Sequence, residues 1–178
     1  MISHKGGLMT FNSRSNIRVL VLIIMVFLFH GCSKKSNAGY TAPDFTLSDL
    51  SDKRVSLKDY EGNIVLLDFW ATWCPPCRQS IPELVDLQKR YQDQGIVILG
   101  ISMDDPKQFN NQYLMAFKEK FKINYSILRA NGQVALDYFG ASNMAIPTLF
   151  VVNREGKIVD KFVGFMPGQV EKSLKKLL

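Results

Sequence analysis

The chain has 178 residues, 47% of them hydrophobic, which is enough for one packed domain and leaves no room for a second core without an internal boundary. Its formal charge is +6, but Lys5, Arg14 and Arg18 lie in a leading segment without acidic residues; past residue 31 the surplus is 19 basic over 16 acidic, or +3, too small to point to nucleic acid. Both histidines, His4 and His30, also lie in that segment, which removes Ser/His/Asp and Cys/His catalysis, His-ligated metal sites and His-ligated haem from the remainder.

Residues 1–31 read as a signal peptide. A polar, slightly basic start ends at Arg18, and Val19 to Phe29 is an unbroken run of eleven apolar residues. Eleven helical residues cover only about 16 Å of a hydrocarbon core about 30 Å thick, so the run is an h-region rather than a span. The "HGCS" that follows resembles the lipobox of bacterial lipoproteins, which implies that Cys32 is lipidated and becomes the mature N-terminus. A plain signal peptide, or an uncleaved anchor aided by Arg14 and Arg18, are the alternatives. Residues 32–43, small, polar and closed by Pro43, read as a tether. A domain over residues 44–178 remains.

Within it, "DFTLSDLSDKRVSL" alternates apolar and polar residues around a turn and predicts a hairpin. Asn63 to Ala71 is a nearly continuous apolar strand, as expected of one buried on both faces. A helix follows from Pro75 to about Gln94, stopped by Gly95, and Ile96 to Met103 is a second buried strand. Phe109 to Phe121 predicts a helix, "YSILR" a short strand, and Val134 to Phe139 a short helix. "TLFVVN" and "KIVDKFVG" flank the tight turn "REG" as an antiparallel pair, and Gln169 to Leu178 is a closing helix with Val170, Leu174, Leu177 and Leu178 inward. Alternating βα units followed by a hairpin give an α/β sandwich around a mixed sheet.

The decisive feature is "FWATWCPPCRQSIPEL", which sets Cys74 and Cys77 three positions apart. Zinc needs about four ligands, and two cysteines without histidine do not supply them, so no metal is expected. Haem attachment is excluded because Arg78 follows Cys77. A structural disulfide fits an oxidising compartment, but a ring of four residues is worth only about 2 kcal/mol. Redox chemistry fits better. Pro75 and Pro76 are tolerated only where no intrahelical N–H is needed, which fixes the helix start beside Cys74. A thiolate there meets free N–H groups and the positive end of the helix dipole, lowering its pKa from about 8.5 toward 3.5–7.5.

"DFWATWCPPC", "AIPTLFVVNREGKIV" and "APDFTLSDL" together resemble the TlpA/ResA-like membrane-tethered thiol:disulfide oxidoreductases of the thioredoxin superfamily, over about residues 42 to 178. The resemblance implies a thioredoxin fold, a central mixed β-sheet flanked by helices, with an N-terminal β-hairpin and an inserted βα unit in the region of Asp104 to Phe121. It implies that Cys74 is the exposed attacking sulfur, that Cys77 is the more buried resolving one, and that Pro147 is a cis-proline whose preceding residue, Ile146, offers backbone groups to substrate. Trp70 and Trp73 would pack around the active loop, plain core aromatics being the alternative, above all for Trp70, with Trp73, Pro75, Ile146 and Pro147 forming the substrate-binding set. No cofactor is expected.

Asp68, on the buried strand, should have a raised pKa and suits a proton acceptor for Cys77. Many TlpA-like members instead carry asparagine there and a glutamate three residues beyond the second cysteine, a place held here by Ser80. A half-exposed strand end is the competing reading of Asp68, and Glu83 reads as surface charge. The expected function is a lipid-anchored enzyme of the bacterial cell envelope, facing the periplasm or extracytoplasmic space. It would reduce disulfides of protein substrates, apocytochrome c or the general envelope thiol pool, as a monomer recharged by a membrane-embedded thiol donor. Two rivals remain. A peroxiredoxin-type thiol peroxidase shares the fold and the "APDF" opening, but Leu67 and Ala71 stand where its proline and Ser/Thr belong. The other is a noncatalytic thioredoxin-fold binding module stapled by the disulfide.

Overall fold

A computed structural model describes residues 39–141 and 144–178. The segments read as signal peptide and acylated Cys32 lie outside the described residues.

Among the described residues, eight strands and four α-helices follow one another. They are β1 (Tyr40–Thr41), β2 (Thr46–Ser48), β3 (Arg54–Ser56), β4 (Ile64–Trp70), α1 (Pro75–Tyr91), β5 (Ile96–Ser102), α2 (Asn111–Lys120), β6 (Ser126–Arg129), α3 (Gly132–Phe139), β7 (Thr148–Val152), β8 (Lys157–Val163) and α4 (Gln169–Leu174). Six strands make one mixed sheet in the order β1-β8-β7-β4-β5-β6, and β2 and β3 form the separate hairpin. β4 pairs parallel with β5 and antiparallel with β7, so it lies inside the sheet, and all seven of its residues are buried. This is the mixed α/β arrangement that the apolar runs and the final hairpin called for, and it agrees with the thioredoxin-like fold that the resemblance implied.

The pleat of β4 divides the core. Ile64, Leu66 and Trp70 share a cluster with Cys77, Ile81, Leu84 and Leu87 of α1, Leu114 and Phe117 of α2, and Val170 and Leu174 of α4. Val65, Leu67 and Phe69 face the opposite side, where Phe45, Leu47, Val55 and Leu57 of the hairpin region and Val134 and Tyr138 of α3 cover them. Each fully buried leucine here contributes about 2 kcal/mol of hydrophobic stabilisation, which is why the continuous apolar run had to be two-sided.

Several boundaries differ from the sequence reading. Tyr40–Thr41, within the stretch read as tether, pair antiparallel with Ile158 and Lys157 as β1. Phe109 is outside α2 because Asn110 caps it, accepting from the Tyr113 N–H at 2.9 Å. Asn131 caps α3 in the same way, accepting from the Val134 N–H at 2.8 Å, so the helix starts two residues earlier than its apolar pattern. α4 stops at Leu174 rather than Leu178, and Leu178 is exposed rather than inward, since turns replace the helical repeat after Leu174. α1 ends at Tyr91 rather than near Gln94, because Gln92–Gln94 form a 3₁₀ turn before Gly95 at φ +77°.

Candidate active site

Cys74 is the N-cap of α1, in extended conformation (φ −89°, ψ 108°), with Pro75 and Pro76 filling the first two helical positions. Prolines lose nothing there, because the first N–H groups of a helix have no intrahelical acceptor. The first available amide, that of Cys77, points back and donates to Cys74 Sγ at 3.3 Å. Cys74 and Cys77 are joined as a disulfide across a Cα–Cα distance of 5.3 Å. The sulfur therefore occupies the place that a Ser or Asp oxygen takes in an ordinary cap, and a thiolate there would be stabilised by the amide and the helix dipole.

The expected exposure of Cys74 is not found: 3% of the residue is accessible, against 0% for Cys77. Bonding to Cys77 turns the sulfur back onto the helix end, and Ile146 closes over it, with its carbonyl oxygen 3.7 Å from Sγ. The Ile146–Pro147 peptide is cis, and Pro147 is buried. Around this pair the surface is apolar and open: Trp73, Phe165 and Met166 are exposed, as is Pro75. The segment carrying Phe165 and Met166 is fastened at both ends. Gly164 N–H donates to Pro147 O at 2.8 Å, and Gly168 N–H donates to Glu83 Oε1 at 2.9 Å. Glu83, read as surface charge, is thus a half-buried tie between α1 and the approach to α4.

Trp70 belongs to the core, 1% exposed and 5.3 Å from Phe117 between ring centroids. Asp68 is 1% exposed, so the half-exposed alternative is set aside. Neither of its oxygens has a hydrogen-bond partner, and burial raises its pKa from 3.8 to about 7. Its position in β4 puts it on the pleat of Leu66 and Trp70, the face that α1 covers with Cys77. Ser80, at the place of the missing family glutamate, is buried and donates its hydroxyl to Cys77 O at 2.8 Å; it offers no acid.

Sequence reasoning passed over Asp104. This buried carboxylate accepts from Thr72 N–H at 3.1 Å on each oxygen, from Thr72 Oγ1 at 2.7 Å and from Ser102 Oγ at 2.9 Å. It anchors the main chain two residues before Cys74 to the end of β5. The signal was present as an acid directly after an apolar strand, facing a threonine at the end of its neighbour.

A cap sulfur in a four-residue ring, beside a cis-proline loop and an open apolar rim, is an arrangement suited to exchange of sulfur bonds. Residues 38–161 match the AhpC/TSA family. The chain belongs to that family. Among curated relatives, it is 31% identical to the thiol-disulfide oxidoreductase ResA of Bacillus thuringiensis, over 93% of this chain and 97% of that protein. It is 35% identical to the thioredoxin-like protein YneN of Bacillus subtilis, over 82% and 88%. Among solved structures, a putative thiol:disulfide interchange protein DsbE from Chlorobium tepidum superposes with a TM-score of 0.65 at 31% identity, covering 78% of this chain and 93% of that one. Within the AhpC/TSA family the chain is therefore a ResA-like thiol:disulfide oxidoreductase of the thioredoxin superfamily. Among the described residues, no helix is long and apolar enough to cross a membrane.

Proposed function

We propose that this oxidoreductase reduces disulfides of protein substrates outside the cytoplasm, held to a bacterial membrane through Cys32. The observation that carries the chemistry is the Cys74–Cys77 disulfide at the capped start of α1, beside Ile146 and cis-Pro147. In the dithiol form, the Cys74 thiolate attacks a substrate disulfide. One bond forms between Cys74 Sγ and a substrate sulfur, the substrate S–S bond breaks, and one substrate thiolate leaves. Cys77 then gives its proton to Asp68 and attacks Cys74 Sγ, breaking the mixed disulfide and releasing the second substrate thiolate. The substrate gains two electrons, and the protein is left in the disulfide state of the structure. A membrane-embedded dithiol donor returns it to the reduced form.

Trp73, Pro75 and the Ile146 backbone are the substrate-binding set, with Phe165 and Met166 enlarging the apolar rim. Apocytochrome c and a general envelope thiol pool are the two substrate classes of this reading. The segment read as signal peptide and tether supports the anchored placement.

The test is trapping in cells with Cys77→Ala, which halts the cycle at the mixed disulfide. Covalent adducts with thiol proteins, lost in Cys74→Ser, are expected; absence of adducts together with absence of insulin reduction overturns the reading in favour of a binding module. The direction is checked by equilibration with glutathione: a potential well above about −180 mV overturns the reductant role. Intact-mass analysis of the membrane fraction reports whether Cys32 carries lipid.

A further inference from the structure

Asp68 of β4 stands opposite Gly100 of β5 in the parallel register. A Cβ on Gly100 would lie 2.9 Å from Trp70 Nε1 and 3.2 Å from Tyr125 Cε2. The missing side chain at position 100 thus admits two aromatic rings with polar hydrogens to the strand position next to the acid. Trp70 and Tyr125 are 1% and 4% exposed, and neither the Trp70 Nε1–H nor the Tyr125 hydroxyl has a partner; nor do the oxygens of Asp68. An unpaired buried polar group costs about 1–3 kcal/mol, and folded proteins hold few of them. Here three come together around one glycine.

Across and along the strands the acid has apolar company, and the nearby hydroxyl of α1 is already engaged. Leu149 pairs with it from β7, Leu66 lies along β4, Cys77 comes from α1, and the Ser80 hydroxyl is spent on Cys77 O. Burial is the sole cause of the shift at Asp68, so no cation offsets its charge. The hydroxyl of Tyr125 is pushed up, first by its burial and then by the charge of Asp68, so it stays a protonated donor.

We propose that Tyr125 is a positioning residue for the proton acceptor, its hydroxyl, together with the Trp70 Nε1–H, donating hydrogen bonds to the Asp68 carboxylate while that group is ionised. This rests on the reading of Asp68 as the acceptor of the Cys77 proton. Before resolution, Asp68 is anionic and holds the two donors. It then takes the proton from Cys77 Sγ, the Cys77 thiolate attacks Cys74 Sγ, the bond from Cys74 to substrate breaks, and the substrate sulfur leaves as thiolate. The acid is now neutral, and a neutral carboxyl holds the two donors less strongly than a carboxylate does.

The experiment is carbon-13 NMR titration of the Asp68 carboxyl in the full-length reduced protein, wild type against Tyr125→Phe. The phenylalanine keeps the ring and removes only the donor. The midpoint should rise by about one unit, equivalent to a tenfold loss in the ionised fraction below it, and the pH profile of mixed-disulfide resolution should move with it. The Trp70 indole N–H resonance of the wild type should shift with the same midpoint and stop doing so in Asp68→Asn, a readout that needs no change at Tyr125. An unaltered midpoint in Tyr125→Phe, or an indole signal that ignores the titration, overturns the inference and leaves Asp68 as acceptor untouched. Wild-type resolution rates in Asp68→Asn would instead remove the acceptor reading, while the indole and carboxyl titrations still report on the three-residue coupling.

Discussion

Asp68 and Asp104 are equally hidden, at 1% and 3% exposure, yet they meet the interior in opposite ways. Asp104, just past β5, has each oxygen engaged by Thr72 and a further bond from Ser102. Arg129 adds a bond from its guanidinium to the main-chain carbonyl of Asp104. Asp68, one strand away in β4, has nothing. A carboxylate with three donors is a fastener, and this one fixes the chain that leads into Cys74. A carboxylate with none is an expense that the fold carries, and such expenses gather at sites of chemistry.

The sharpest way to break this contrast is the pH dependence of stability. With its pKa raised from 3.8 to about 7, Asp68 keeps its proton in the folded protein over a range where the unfolded chain has released it. Stability should therefore fall as pH rises from about 4 to 7 and level off above, a span on the order of 4 kcal/mol. Asp68→Asn should flatten that slope in urea unfolding measured across pH, and an unchanged slope removes the distinction. Asp104→Ala comes next. It strips Thr72 and Ser102 of their acceptor and should cost about 3 kcal/mol, seen as a fall of roughly 10 °C in Tm. Thr72→Val keeps the volume and the main-chain bonds but loses the hydroxyl donor, with an expected cost of about 1–2 kcal/mol by chemical denaturation. Smallest in stability is Trp73→Ala, since 57% of that residue is exposed; melting should move by no more than about 1 °C, while KM for a protein disulfide rises several-fold.

Periodicity made the middle of the fold legible. The apolar run of β4 could satisfy itself only with cover on both faces, and the two prolines after Cys74 left the start of α1 no other place. What periodicity missed was decided by single side chains or by pairing across the chain. Asn110 and Asn131 move helix starts by accepting one amide each, and apolar spacing does not register a cap. β1 is two residues long and exposed, so no pattern announces it; its existence depends on β8 lying alongside. In the site, the cysteine pair and its helix start were readable, and so was the burial of Asp68. The burial of Cys74 was not, because it follows from Ile146, seventy-two residues further on. The roles of Gly100 and Tyr125 were equally hidden, since each has meaning only once β4, β5 and the turn before β6 are side by side.

The edge pairing of β1 has a practical side. Tyr40 and Thr41 meet β8 at Ile158 and Lys157, next to the β7–β8 turn, whereas cis-Pro147 precedes the opposite end of β7. The five residues of β7 separate the two, about 17 Å at strand rise. A resin, sensor chip or fusion partner joined ahead of Gly39 therefore grips the domain at the end away from cis-Pro147, and immobilised protein keeps its sulfur pair free for incoming thiols.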